Sequence, residues 1–144
     1  MIRPCTASDN EALVGIWLRA SLQAHSFIPA AYWHAQAERV RDYFLPNSHN
    51  IVYIDETSGQ AVGFFSLVGA YLAALFVEPA WQGKGIGSRL LRLAVQMQPQ
   101  AHLSVYQANS HAVAWYSRHG FVCCERRLDA ATGQEEWLMR RSPA

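Results

Sequence analysis

Three glycines at alternate positions, Gly83, Gly85 and Gly87, separate an apolar run from an amphipathic one in the stretch YLAALFVEPAWQGKGIGSRLLRLAVQM, Tyr71 to Met97. Leu75, Phe76 and Val77 close a strand that Glu78-Pro79 must end, because proline has no N–H to give to a ladder. Ile86, Leu90, Ala94 and Met97 then recur at helical spacing, with Arg89, Arg92 and Gln96 on the other face. Between strand and helix lies the loop Gln82-Gly83-Lys84-Gly85-Ile86-Gly87-Ser88. Its glycines let the backbone turn successive N–H groups outward, with no side chain in a ligand's way. Those groups sit at a helix start, where the dipole and the unpaired donors favour an anion. The loop reads as a phosphate site.

Spacing excludes the two commonest glycine-rich loops. A dinucleotide fingerprint needs G-x-G-x-x-G and an acid about 20 residues on; here the spacing is G-x-G-x-G, and the next strand runs into Gln107-Ala108-Asn109. A P-loop needs Gly-Lys-Ser/Thr, but Lys84 is followed by Gly85. The 144 residues suit one domain spanning the chain, 1-144, long enough to bury about two-thirds of the unfolded surface. A formal net charge of +1 gives nucleic acid no general attraction. Of the 12 basic residues only Lys84 is a lysine. Cys5, Cys123 and Cys124 show no metal spacing, and an odd count argues against a disulfide framework, so they read as reduced structural residues. His49, His102, His111 and His119 are scattered without ligand spacing, so no metal is expected. Charges at Arg3, Asp9 and Glu11 and the lack of a long apolar run predict neither a signal peptide nor a membrane span, hence a cytoplasmic protein.

Taken in order, Ile2-Arg3-Pro4 predicts a short strand, and Ser8-Asp9-Asn10-Glu11 a capping box. Leu13, Ile16, Trp17 and Ala20 trace one face of a first helix, whose periodicity lapses from Ser21 to Ile28. Pro29 opens a second helix burying Trp33, Ala37, Val40 and Phe44, stopped at Leu45-Pro46-Asn47. Strands follow at 51–54 and 61–68 and up to Val77, then the long helix and a strand from His102 to Tyr106. Asn109 or Ser110 caps a helix ended by Gly120, and 121–128 with 136–139 make a final hairpin. The order gives an α/β (α+β) mixed sheet.

Gln82, Gly85 and Gly87 fit the pattern Gln/Arg-x-x-Gly-x-Gly/Ala, and NSHAVAWYSRHGF fits Asn-x-x-Ala-x-x-x-Tyr-x-x-x-Gly-Phe at Asn109, Ala112, Tyr116, Gly120 and Phe121. With the strand before the loop and the order of elements, most of the chain resembles the GNAT superfamily of acyl-CoA-dependent N-acetyltransferases. The resemblance implies about seven strands with four helices and central parallel strands that splay apart. It implies acetyl-CoA as co-substrate, with the pyrophosphate on Gln82, Gly83, Lys84, Gly85, Ile86, Gly87 and Ser88 and pantetheine pairing with the backbone of Leu75, Phe76 and Val77. By the same resemblance Asn109 contacts the cofactor and the Tyr116 hydroxyl protonates the departing thiolate.

The residues themselves are compatible with that chemistry. Asn109 and Tyr116 lie two helical turns apart and share a face with Val113. A phenol with a reference pKa of about 10 stays protonated at neutral pH and can donate to a thiolate; it can equally be a packing residue. Lys84 can reach a phosphate or simply be solvated. Family members that use a glutamate base place it where this chain has Tyr71 or Leu72, or Ser104. His25 and a water held by Ser104 and Tyr106 remain as candidate bases. His25, Phe27, Tyr71 and Tyr106 are expected to bind the acceptor. The expected function is direct transfer of acetyl to a primary amine of a peptide, protein or small molecule, by a monomer or homodimer with no nucleic-acid or membrane partner. A non-catalytic CoA-binding module or sensor is the alternative.

Overall fold

A computed structural model describes residues 1–141. Among them the chain forms seven strands in one mixed sheet and four α-helices, as the order of elements predicts. The strands are β1 (Ile2–Pro4), β2 (His49–Ile54), β3 (Ala61–Val68), β4 (Tyr71–Val77), β5 (His102–Tyr106), β6 (Phe121–Asp129) and β7 (Gln134–Arg141). The helices are α1 (Asn10–Ala24), α2 (Ala30–Arg39), α3 (Ile86–Met97) and α4 (Ser110–Arg118). Spatial order is β1-β2-β3-β4-β5-β7-β6, antiparallel throughout except where β4 meets β5. Among the described residues, no helix is long and apolar enough to cross a membrane.

Local chemistry corrects some boundaries. The capping pair is Thr6 and Asp9 rather than Ser8 and Glu11: the Thr6 N–H donates to Asp9 Oδ2 at 2.8 Å. Arg3 holds the same carboxylate at 2.8 Å, which keeps Asp9 below the usual carboxylate range. α1 runs on to Ala24, past the lapse in apolar spacing, because small and polar residues carry its last turn. α2 ends in a wider π-helical turn over Val40–Phe44 before Pro46 stops it. Cys123 and Cys124 are exposed on the outer strand rather than packed, and Cys124 is the extra residue of a bulge, so neighbouring side chains do not simply alternate there.

The sheet buries two layers. Phe65, Leu67, Leu72 and Leu103 pack with Ile86, Leu90, Leu91 and Ala94 of α3, while Phe64 and Ala74 turn to the other face against Leu13, Ile16 and Trp17 of α1. Successive residues of β3 thus serve opposite layers, as strand geometry requires. β4 carries a bulge at Ala73, since Ser66 pairs with Ala74 but Leu67 pairs with Leu72.

A buried polar knot ties β2 and β3 to the segment before them. Asn50 Oδ1 accepts from Ser66 Oγ at 2.5 Å and from Ser48 Oγ at 2.9 Å, and its Nδ2 donates to Leu45 O at 2.7 Å. Asn50→Ala leaves the fully buried Ser66 hydroxyl without an acceptor, which costs about 1–3 kcal/mol for that group alone. Denaturant unfolding is expected to show a lowered midpoint at unchanged m-value; an unaltered midpoint would remove this knot from the stability account.

Candidate functional site

β4 and β5 run parallel but share one registered pair, Tyr71 with His102, supported by the His102 N–H donating to Ala70 O at 3.1 Å. Beyond it the strands diverge, and the bulge at Ala73 bends β4 away at the same level. The result is a cleft of about 780 Å³ that passes between them. Leu75, Phe76 and Val77 line it, paired to β3 on one side and open toward β5 on the other. A peptide-like ligand can use such an open backbone edge as a strand would.

The glycine loop closes one end of the cleft. Gly83 and Gly85 have φ of +79° and +83°, which a side chain tolerates poorly, and a Cβ at either would meet nothing within 4 Å. The open space and the left-handed backbone are what an approaching anion needs. Gln82 Nε2 donates to Val77 O at 3.0 Å, tying loop to strand. The N–H groups of Ile86, Gly87 and Ser88 begin α3 and have no acceptor within the helix itself. A Cβ at Gly87 would lie 3.4 Å from the Trp115 ring, so this glycine admits α4 close beside α3. Ser88 Oγ meets His119 Nε2 at 3.1 Å, and His119 Nδ1 donates to Trp115 O at 2.8 Å. Lys84 projects over the Trp81 ring, 5.6 Å from its centre, and is absent from the cleft lining.

α4 supplies Tyr116 and Asn109. Tyr116 lines the cleft, packed edge-on against Trp115 and Phe121, and burial pushes its phenol further above the ordinary range, with Tyr71 adding to the effect. Its hydroxyl has no hydrogen-bond partner among the described residues. Asn109 caps the helix: its Oδ1 accepts the Ala112 N–H at 3.1 Å. Its Nδ2 is therefore the donor to His25 Nε2, 3.1 Å away. That assignment leaves the His25 proton on Nδ1, which is buried without a partner.

His25 lies at the end of α1, stacked on Trp33 and edge-on to Phe27 and Tyr106. Burial lowers its pKa to about 4. The ring is neutral at pH 7, but its one free lone pair is committed to Asn109, so the structure uses His25 as a tie between α1 and α4. Ser104 and Tyr106 are engaged as well: Arg127 donates to Ser104 Oγ, and the Tyr106 hydroxyl donates to Asp129 Oδ2 at 2.8 Å. Glu78, at the strand's far end, holds Arg19 at 2.6 Å.

Of the residues singled out in the sequence, Leu75, Phe76, Val77, Gln82, Gly83, Gly85, Ile86, Gly87, Ser88, Asn109, Tyr116, His25, Tyr71 and Tyr106 all line one cleft. Phe27 stands behind Tyr106 and His25 instead. Sequence reading missed Trp115 and Glu136, which also line it. Trp115 follows from the helical face it shares with Ala112. Glu136 could be found only through pairing, because register sets it opposite Tyr106.

Residues 46–123 match the family model described as Acetyltransferase (GNAT) domain. The chain is 36% identical over 140 residues to the peptidyl-lysine N-acetyltransferase YiaC of Escherichia coli, covering 96% of this chain and 94% of that protein. It is 36% identical over 120 residues to the peptidyl-lysine N-acetyltransferase YjaB of the same organism, covering 83% of this chain and 80% of that one. The solution structure of apo-form YjaB superposes with a TM-score of 0.88 at 31% identity, covering all of this chain and 98% of the other. A PaiA N-acetyltransferase from Thermoplasma acidophilum in complex with coenzyme A shares the fold, with a TM-score of 0.82 at 17% identity, covering 99% of this chain and 98% of that one.

The buried histidine makes stability pH-dependent with a defined sign. Its folded pKa lies below the unfolded value of about 6.5, so the unfolded chain binds more protons between the two. The His25 contribution is complete above pH 6.5 and fades as pH falls toward 4, by about 3 kcal/mol at full extent. Unfolding curves of wild type and His25→Gln over that window are expected to converge at low pH. A difference independent of pH would mean that the ring titrates normally.

Proposed function

The chain belongs to the GNAT acetyltransferases, and on that premise we propose that it transfers acetyl from acetyl-CoA to the side-chain amine of lysine in a peptide or protein. It is an acyltransferase enzyme. The observation that carries it is the single β4–β5 pair, which opens a backbone edge between a glycine-walled anion site and the Tyr116 hydroxyl. The peptidyl-lysine acceptors named for the two relatives at 36% identity support the choice of lysine.

In this reading the loop from Gln82 to Ser88 holds the pyrophosphate, and Leu75 to Val77 pair with the pantetheine amides. A backbone N–H near Phe76 or Val77 meets the carbonyl oxygen as it gains charge. The lysine nitrogen attacks the carbonyl carbon, the carbon–sulfur bond breaks, and Tyr116 gives its proton to the sulfur. A phenol raised by burial is fully protonated at neutral pH and carries no competing hydrogen bond. Most of the rate comes from bringing amine and thioester together in one cleft.

Release of CoA thiol from acetyl-CoA with lysine peptides tests the acceptor; thiol release with small amines alone would reassign it. Tyr116→Phe keeps the ring and its packing, so kcat is expected to fall by about 10²–10⁴-fold with CoA affinity nearly unchanged. Wild-type turnover in that variant would return Tyr116 to a packing role. Gly85→Glu is expected to abolish CoA binding in calorimetry, because it puts a carboxylate in the anion site and also forces a side chain into left-handed backbone at about 1–2 kcal/mol. Gly85→Ala carries the same strain without the charge and should retain weakened binding; equal loss in both variants would make backbone shape, not charge, the cause.

A further inference from the structure

Lysine enters such a cleft as an ammonium ion, and attack requires it to lose a proton first. At neutral pH only about one lysine in a thousand is already neutral. The free lone pair of His25 is taken by the Asn109 amide, and the Ser104 and Tyr106 hydroxyls, engaged with Arg127 and Asp129, are far too weakly basic to take a proton from an ammonium ion. One carboxylate in the cleft is differently placed.

Glu136 lies on β7 directly opposite Tyr106 of β5. Leu103 and Val105 of β5 and Trp137 and Met139 of β7 pack toward α3 and α4. Strand alternation therefore puts Ser104, Tyr106 and Glu136 together on the opposite face, the one shared with α1. Glu136 lines the cleft with its side chain only 20% exposed. Arg127 Nε stands 4.0 Å from Oε1, too long for a hydrogen bond, and that guanidinium is directed to Ser104 Oγ. Among the described residues nothing hydrogen-bonds to the Glu136 carboxylate. By contrast, Asp129 accepts from Tyr106 and Thr132 at Oδ2 and from the Ala131 N–H at Oδ1.

Resting on the lysine-transfer reading above, we propose that Glu136 is the group that receives the acceptor ammonium and removes its proton. One proton passes from the lysine nitrogen to the Glu136 carboxylate, freeing the lone pair that attacks the thioester carbon. As the carbon–sulfur bond breaks, Tyr116 protonates the sulfur. The nitrogen loses its second proton as the amide forms, and this proton restores the phenol. Glu136 then gives its proton to solvent, so each turnover converts an ammonium and a thioester into an amide, a thiol and one released proton. Burial and the nearby Asp129 raise the Glu136 pKa above the ordinary carboxylate range, and Arg127 opposes them. A raised pKa makes the carboxylate a stronger base. The groups around it are Arg127 and Asp129 on β6 and Tyr106 on β5, with Tyr32 of α2 near Asp129 and His25 against Tyr106.

The test compares wild type, Glu136→Gln and Glu135→Gln with acetyl-CoA and a lysine peptide from pH 6 to 10. Glu135 is the exposed neighbour on the other face and serves as control. Wild type is expected to show a kcat/KM plateau across neutral pH. Glu136→Gln should lose about 10²–10⁴-fold at pH 7. Its rate should then climb about tenfold per pH unit toward the lysine pKa near 10.4, as the amine ionises unaided. CoA affinity and the Glu135→Gln profile should match wild type. A Glu136→Gln enzyme with the wild-type profile overturns the proposal, and so does a loss of equal size at every pH, which would mark a packing role. If wild type releases no thiol with lysine peptides, the lysine-transfer reading fails and Glu136 falls with it; if wild type turns over and the variant matches it, only Glu136 falls.

Discussion

One registered residue pair, Tyr71 with His102, joins the two halves of the sheet. Every other neighbour is held by an antiparallel ladder of three or more registered pairs. The β4–β5 boundary is the only parallel one among the described residues, and it is nearly unmade. A continuous ladder there would fill the cleft with the protein's own hydrogen bonds. The unpaired edge of β4 instead faces an open cleft, and the hydrophobic layers on both faces make up for the missing sheet contacts.

Two devices keep the opening from closing or spreading. The bulge at Ala73 bends β4 just beyond the shared pair. Across the mouth, the Asn109–His25 hydrogen bond joins the start of α4, after β5, to the end of α1, after β1, with His25 wedged among Trp33, Phe27 and Tyr106. Gly87 lets Trp115 approach to van der Waals distance on the α3 side. The cleft is thus shaped by contacts between segments remote in sequence.

That remoteness explains what could be read in the chain beforehand. The seven strands and four helices were legible because period-2 and period-3.6 patterns and the proline and glycine breaks are local. The glycine loop was legible for the same reason: spacing and backbone freedom lie within seven residues, Gln82 to Ser88. The N-cap role of Asn109 follows from its position before a helix, but its other bond reaches 84 residues back, which no spacing rule reports. His25 was expected as an acceptor residue or base; it lines the cleft, and its bond to Asn109 takes the lone pair that a base would need. Glu136 had no local signature at all. Only the β5–β7 register brings it beside Tyr106.

Lys84, resting over Trp81, is the chain's one lysine, and the rest of its 12 lysine and arginine residues are arginines. Guanidinium stays protonated at any pH the enzyme meets and offers no nucleophilic nitrogen. A lysine-rich protein bathed in a reactive thioester would slowly lose surface charge and with it its ion pairs. Here the pairs that brace the fold, Arg3 with Asp9 and Arg19 with Glu78, are made from side chains that cannot be acylated in that way. Among the side chains, acetyl transfer to nitrogen has one amine to find, on the rim of the loop.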